Sequence, residues 1–230
     1  MLYLILLYSM YKIKLLFMEV VMKEKEDTIN IIKILKNTYP EAKCSLDFST
    51  PFELLVSVML SAQCTDERVN KTTPNIFNKY STPYDFANMD INELERLIHP
   101  CGFYKTKAKH LKECSKKIIS DYNGEVPSSM DELVKLPGIG RKCANVIMLN
   151  AFNRPCGIAV DTHAKRISYR IGLSNNTDPN KIEQDLLKQI PKEYLKDINH
   201  LFVYHGRNIC TAKNPKCSKC PIRNYCDMIK

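Results

Sequence analysis

An amine, a carboxylate and a set of thiols stand out in this chain by their types and spacing. Leu136-Pro137-Gly138-Ile139-Gly140-Arg141-Lys142 sets a lysine just after two glycines, and nineteen residues beyond it Val160-Asp161-Thr162-His163 supplies an acid. The unprotonated amine of a lysine attacks an electrophilic carbon and gives a Schiff base, while a carboxylate beside a reacting sugar steadies developing positive charge. Gly138 and Gly140 carry no side chain, so the peptide N–H groups opening the next helix can lie against a phosphate oxygen, aided by the helix dipole. Each part also has a plainer reading: a tight turn that needs glycine, a lysine that only contacts phosphate, an aspartate that only caps a helix. His163 reads as structural.

Cys210, Cys217, Cys220 and Cys226 follow the spacing C-x6-C-x2-C-x5-C. Four thiolates so arranged suit a [4Fe-4S] cluster. Four-cysteine zinc sites are usually built from two short-spaced pairs, and only one C-x2-C occurs here. Lys213 and Lys216 lie between the first two of these cysteines, so the loop reads as a clip that holds basic side chains towards a backbone phosphate. The other six, Cys44, Cys64, Cys101, Cys114, Cys143 and Cys156, are scattered and read as small core residues.

These groups need a scaffold, and the composition points to helices. The chain has 230 residues, 44% of them hydrophobic, which is enough for one substantial core or two modest ones. Glycines number seven, and no long run alternates apolar with polar residues, which argues for an all-α protein. Thr50-Pro51-Phe52-Glu53 places a cap hydroxyl, a proline and a glutamate ahead of an apolar run through Leu54, Leu55, Val58 and Leu60. Thr82-Pro83-Tyr84-Asp85 resembles that start. Ser129-Met130-Asp131-Glu132 opens a short helix through Leu133 and Leu136 that stops at Pro137, and a new helix runs from about Gly140 to Phe152. Asp178-Pro179 starts another, and Pro191 opens the last, with Leu195, Ile198, Phe202 and Ile209 inward. The count comes to roughly ten helices.

Charge narrows the partners. The formal net charge is +9, and it is concentrated. Tyr104 to Lys117 holds six lysines against Glu113, Arg141 to Arg170 six basic residues against Asp161, and His205 to Lys230 six against Asp227. One such stretch reads as a solvated face; three together, one containing the glycine turn, point to nucleic acid.

The N-terminus is different. Met1 to Tyr11 is apolar except for Ser9, but it is shorter than the roughly 20 residues a bilayer span requires, and Lys12 and Lys14 follow it instead of preceding it. No membrane partner and no convincing targeting signal are expected. Met18 and Met22 are alternative starts, and deletion of residues 1–17 is expected to leave activity intact. With four of its ten cysteines in the last 21 residues, the chain reads as one with intracellular thiols or metal ligands, cytoplasmic or nucleoid-associated.

Taken together, the glycine turn, the Val160-Asp161-Thr162-His163 segment and the four terminal cysteines resemble the endonuclease III family of helix-hairpin-helix DNA glycosylases. Pro51-Phe52-Glu53-Leu54-Leu55 and Leu60-Ser61-Ala62-Gln63 look like the same family, and the similarity extends from about Lys25 to Cys226. The resemblance implies a two-lobed helical fold: a six-helix lobe over residues 44–154, and a cluster lobe from residues 25–43 plus 155–230, after an extension at 1–24. Double-stranded DNA with damaged bases or abasic sites would lie between the lobes, bound by a monomer. The resemblance also makes Lys142 the amine that attacks sugar C1′ of a flipped, oxidised pyrimidine nucleotide and Asp161 the catalytic carboxylate, with β-elimination nicking the strand. Flipping is needed because the C1′ of a stacked, paired nucleotide cannot be reached. Gly138, Gly140, Arg141, Lys213 and Lys216 would contact DNA, and Gln63 and Phe103 would fill the space left by the flipped base. Phe103 departs from the leucine of the family pattern. Two rival readings stand beside this one: an adenine mismatch glycosylase, against which Lys142 argues, and a non-catalytic iron-sulfur DNA-binding module, against which Asp161 argues.

Overall fold

Short polar signals start most of the helices, and the apolar residues that follow decide which of two cores each helix joins. The computed structural model describes residues 23–229, so the run 1–17 lies outside the described residues. The helices are α1 (Lys25–Thr38), α2 (Pro51–Leu60), α3 (Asp66–Thr72), α4 (Pro74–Phe77), α5 (Pro83–Asn88), α6 (Ile91–Ile98), α7 (Tyr104–Tyr122), α8 (Met130–Leu133), α9 (Arg141–Phe152), α10 (Thr162–Arg170), α11 (Pro179–Gln189) and α12 (Leu195–Asn208). Short 3-10 turns occupy His99–Cys101, Lys192–Tyr194, Cys217–Lys219 and Arg223–Tyr225. No strand occurs among the described residues, and the all-α expectation holds. The helices outnumber the expected ten partly because α4 and α8 have only four residues each.

The caps behave as their chemistry requires. Thr50 accepts from the Glu53 N–H at 3.1 Å, and the Glu53 carboxylate in turn accepts from the Ser49 N–H at 2.6 Å. At α5 the reciprocal pair is complete: Thr82 accepts from Asp85 N–H at 3.2 Å, and Asp85 accepts from Thr82 N–H at 2.9 Å. Two boundaries differ from the sequence reading. Helix α8 ends at Leu133, so buried Leu136 belongs to the following turn, where its carbonyl accepts from the Ile139 N–H. Pro191 opens a 3-10 turn, and α12 begins only at Leu195.

Two apolar clusters organise the chain. The first extends from Leu46 to Met148 around α2, which is buried from Phe52 to Leu60 and is apolar there except for Glu53 and Ser57, as suits a central helix. The second joins Ile31, Ile32 and Leu35 of α1 to residues from Ile158 to Ile222, including Ile167 of α10, Leu186 of α11 and Phe202 of α12. Thr28, Ile31, Ile32 and Leu35 recur at helical spacing and form the buried stripe of α1. Lys23 donates to the Tyr225 carbonyl at 2.8 Å and pairs with Asp227 at 2.9 Å, so this residue of the expected 1–24 extension is tied to the C-terminal loop.

The chain leaves the first cluster after α9 and passes Gly157 on its way to the second. A Cβ there would fall 2.2 Å from Glu183 Oε1 and 2.4 Å from Asn145 Oδ1. Glycine lets the strand of chain pass against that pair. Buried Glu183 accepts from Asn145 Nδ2 at 2.8 Å and from the Ile158 N–H at 3.2 Å, and it pairs with Arg141 at 2.5 Å. One carboxylate of α11 thereby fixes the first turn of α9.

Candidate active site and cysteine corner

Pro137 and the two glycines turn the chain between α8 and α9. Gly138 adopts φ +80°, the left-handed region glycine tolerates best, and a Cβ on it would lie 2.7 Å from Met59 Cε and 3.1 Å from His110 Cβ. The backbone angle disfavours any side chain here, and one would also press on the Met59 and His110 side chains. Leu136 and Ile139 are buried beneath the turn and hold it to the first cluster. Gly140 takes the N-cap position of α9 with no side-chain cap, and nothing would crowd a Cβ there within 4 Å. Gly140, Arg141 and Lys142 are exposed, so the start of α9 is open to solvent, where a helix end can receive an anion.

Lys142, exposed in the first turn of α9, lines a cavity of about 380 Å³ together with Asp161. The other walls come from Cys44 and Ser45 ahead of α2, from Ser61 and Cys64 beyond it, and from Asn199 and His200 of α12. The cleft therefore sits where the two clusters meet. Asp161 is the N-cap of α10 and accepts from the Ala164 N–H at 2.7 Å through Oδ1, as the sequence suggested. The hydrogen bond fixes the orientation of the carboxylate at the cleft. His163, read from sequence as structural, also lines it; burial pushes its imidazole below the ordinary histidine range, and Arg166 Nη2 lies 3.1 Å from its Nδ1. Burial lowers His200 in the same way.

Arg207 of α12 pairs with Asp66 of α3 at 2.7 Å, and Ser45 donates to the same carboxylate oxygen at 2.6 Å. These three residues form the rim of the cleft, and the sequence reading missed them. Asp66, Ser45 and Arg207 lie far apart in the chain and share no periodicity, so no local signal connects them. Arg141 was expected to contact DNA; its guanidinium is held by Glu183, although its side chain remains about half exposed at 48%.

Gln63, Phe103 and Gly138 meet around a second cavity of about 220 Å³. Gln63 has φ +53° and Phe103 φ +47°, a conformation that is uncommon for residues other than glycine and occurs at both loop tips. Phe103 is 65% exposed, so it is not a core aromatic. The lysine-rich helix α7 is less free than its charge suggests. Lys107 is buried and donates to the carbonyls of Leu60 and Cys101 at 2.8 Å each, while Lys112 donates to those of Ala87 and Met89. Two of the six lysines in that run serve the fold.

At the opposite end of α10, Cys210, Cys217, Cys220 and Cys226 line a cavity of about 200 Å³. Among the described residues no three His, Cys, Asp or Glu side chains converge on a point suited to one metal ion. Thiols that surround a space fit a polynuclear cluster better than a single tetrahedral ion. Burial, with the neighbouring cysteines adding to it, raises the Cys220 and Cys226 thiols, so thiolate character there calls for bound positive charge. Arg170 of α10 donates to Cys210 Sγ at 3.2 Å and to the carbonyls of Thr211 and Ala212, and Arg166 donates to the Cys210 carbonyl at 3.0 Å. Lys213 and Lys216 are exposed on the loop so held. Of the other cysteines, Cys101 and Cys114 are buried as expected, whereas Cys156 is exposed and Cys44, Cys64 and Cys143 line the Lys142 cleft.

Comparison with known proteins agrees with this architecture. Residues 56–192 match the HhH-GPD superfamily of base excision DNA repair proteins, and residues 210–226 match the iron-sulfur binding domain of endonuclease III. Endonuclease III of Synechocystis sp. is 47% identical over 203 residues, which cover 88% of this chain and 93% of that protein. A non-covalent endonuclease III–DNA complex superposes with a TM-score of 0.85 at 42% identity, covering 90% of this chain and 96% of that one. A trapped endonuclease III–DNA covalent intermediate has the same TM-score and identity. Given the hairpin, the shared cleft and the cysteine corner, these likenesses leave one assignment: the chain belongs to the endonuclease III family of the HhH-GPD superfamily of base excision DNA repair proteins.

Proposed function

We propose that Lys142 and Asp161 are the catalytic pair of a bifunctional DNA glycosylase and AP lyase that removes oxidised pyrimidines. The protein is a base excision repair glycosylase and lyase with a [4Fe-4S] cluster, and its partner is DNA. The observation that carries the residue assignment is the single cleft lined by both side chains. A damaged nucleotide flipped into that cleft brings C1′ to the Lys142 amine. The amine forms the new C1′–N bond as the glycosidic bond breaks and its electrons leave with the base, which must gain a proton. Asp161, held by the Ala164 N–H, faces the positive charge that grows on the sugar. Opening of the sugar ring gives the Schiff base, and loss of a C2′ proton then expels the 3′ phosphate by β-elimination. Water completes the cycle by hydrolysing the imine and freeing Lys142.

Gly138, Gly140 and the first N–H groups of α9 would grip a backbone phosphate, and Lys213 and Lys216 would meet the duplex on the far side. When bound, the cluster links the four cysteines and clips that loop. Gln63 and Phe103, exposed on neighbouring tips, are suited to enter the stack from which the nucleotide is drawn. The division into a lobe at 44–154 and another from 25–43 plus 155–230 is supported by the two apolar clusters, with DNA across their junction. No helix among the described residues is long and apolar enough to cross a membrane. We further propose a monomer that is cytoplasmic or nucleoid-associated, as suits a DNA repair enzyme of this family.

Borohydride trapping on duplex DNA carrying one oxidised pyrimidine tests the assignment. A covalent adduct formed by the native protein and absent from Lys142→Ala is expected. Base release by Lys142→Ala at the native rate would sink the lysine mechanism, and release by the native protein with no adduct would favour water as the nucleophile.

A further inference from the structure

One polar chain, buried at its centre, runs from the end of α1 through α12 into the cysteine corner. Tyr39, which closes α1, places its hydroxyl 3.1 Å from Nδ1 of His205, and Nε2 of His205 lies 3.7 Å from Sγ of Cys220. His205 is only 1% exposed, and the two rings are packed with centroids 6.0 Å apart. Tyr39, Cys210 and Cys220 all pack against the same apolar cluster. We propose that Tyr39 and His205 form a one-way hydrogen-bond relay onto Cys220 that raises the reduction potential of the cluster. The proposal rests on the reading of Cys220 as a cluster ligand.

The direction of the relay follows from the sulfur. A ligating cysteine is a thiolate and carries no proton, so Sγ can only accept. The hydrogen between His205 and Cys220 must therefore reside on Nε2. In the neutral ring Nδ1 is then the acceptor, and the Tyr39 hydroxyl is the donor that completes the chain. Donation into Nδ1 polarises the ring and strengthens the N–H···S contact at its other side. A hydrogen bond to a ligating sulfur stabilises the more negative, reduced cluster over the oxidised one. Tyr39 and His205 are thus positioning residues that act on the cofactor through Cys220. Arg170 reaches Cys210 instead, so the two donors serve different ligands.

The test uses the full-length, iron-loaded protein. Protein-film voltammetry should give Tyr39→Phe a lower midpoint potential than the native chain at equal iron content. His205→Leu should shift further in the same direction, while His205→Gln, which keeps an amide N–H donor, should return towards the native value. Resonance Raman spectra in H2O and D2O should show a deuterium shift of the Fe–S(Cys) stretching bands that is lost in His205→Leu. A fully loaded Tyr39→Phe protein with native potential and native bands would overturn the relay, and it decides the matter by itself if His205→Leu does not fold. Cys220→Ser separates the two layers. A full cluster with native Fe–S(Cys) bands in that variant would refute the ligand assignment and the relay with it; cluster loss there, beside an unchanged Tyr39→Phe, refutes the relay alone.

Discussion

The Lys142 cleft and the cysteine corner are built by opposite strategies. The corner draws its four thiols from residues 210–226 and is clamped by two arginines of one neighbouring helix, so it is local in sequence and tied by many short bonds. The cleft takes Lys142 from a helix of the first apolar cluster and Asp161 from the start of a helix in the second. Its geometry depends on bonds that span the junction, chiefly Arg141 with Glu183 and Arg207 with Asp66. The difference teaches where damage should appear. Faults in the corner should remove the cofactor and loosen the loop, whereas faults in the cleft should remove chemistry from a protein that is still folded and loaded.

Cys217→Ser should have the largest effect, with most of the iron lost and the melting temperature lowered, read by iron content and calorimetry. Retention of full iron would show that the corner does not rely on all four thiols. Asp161→Asn should lower base release by roughly 10²–10⁴-fold, the range for a lost acid–base or charge-stabilising group. Because asparagine also caps helices well, its stability should change little and its iron should stay. Near-native base release would instead make Asp161 a cap and nothing more.

Arg141→Ala probes the junction itself. It leaves the Glu183 carboxylate buried with its Asn145 and Ile158 donors, and should cost about 2 kcal/mol by denaturant unfolding. That is less than a fully buried pair would cost, because Arg141 is about half exposed. A change within a few tenths would mean that Glu183 needs no counter-charge and that the junction is held by packing.

Part of the pH dependence should follow His163 and His200, whose folded values lie below the ordinary 6.5 through burial. The unfolded chain binds these protons more readily than the folded one, so stability should fall as the pH drops through 6.5 towards the lowered folded values. Urea midpoints at pH 7.5 and 5.5 measure the loss, and His200→Gln should reduce it; an identical loss in that variant would acquit His200. Lys213→Ala should have the smallest effect, reducing the log–log salt slope of DNA binding by about 0.9 with no change in base release from bound substrate. An unchanged slope would remove Lys213 from the interface.

Much of this molecule was legible in its sequence, because much of its chemistry is local. The caps at Thr50, Thr82, Asp161 and Asp178 are read from short motifs since each is a bond between residues two to three apart. The same holds for the glycine turn and the four-cysteine spacing. What misled the reading was side-chain direction. Lys107 and Lys112 look like solvated charges until α7 is packed, when their stems carry the ammonium groups to carbonyls of other segments. His163 looks structural, and the cysteines at positions 44, 64 and 143 look like core residues, until the two clusters close a cleft around them. By itself, then, the sequence determined the helices, their caps, the hairpin and the thiol set, all governed by neighbours a few residues away. Only the tertiary structure decided that Lys142 and Asp161 share one cavity, that Arg207 meets Asp66, and that Tyr39 reaches Cys220 through His205. Those contacts join residues up to 166 positions apart, and they exist only once apolar burial has brought the helices together.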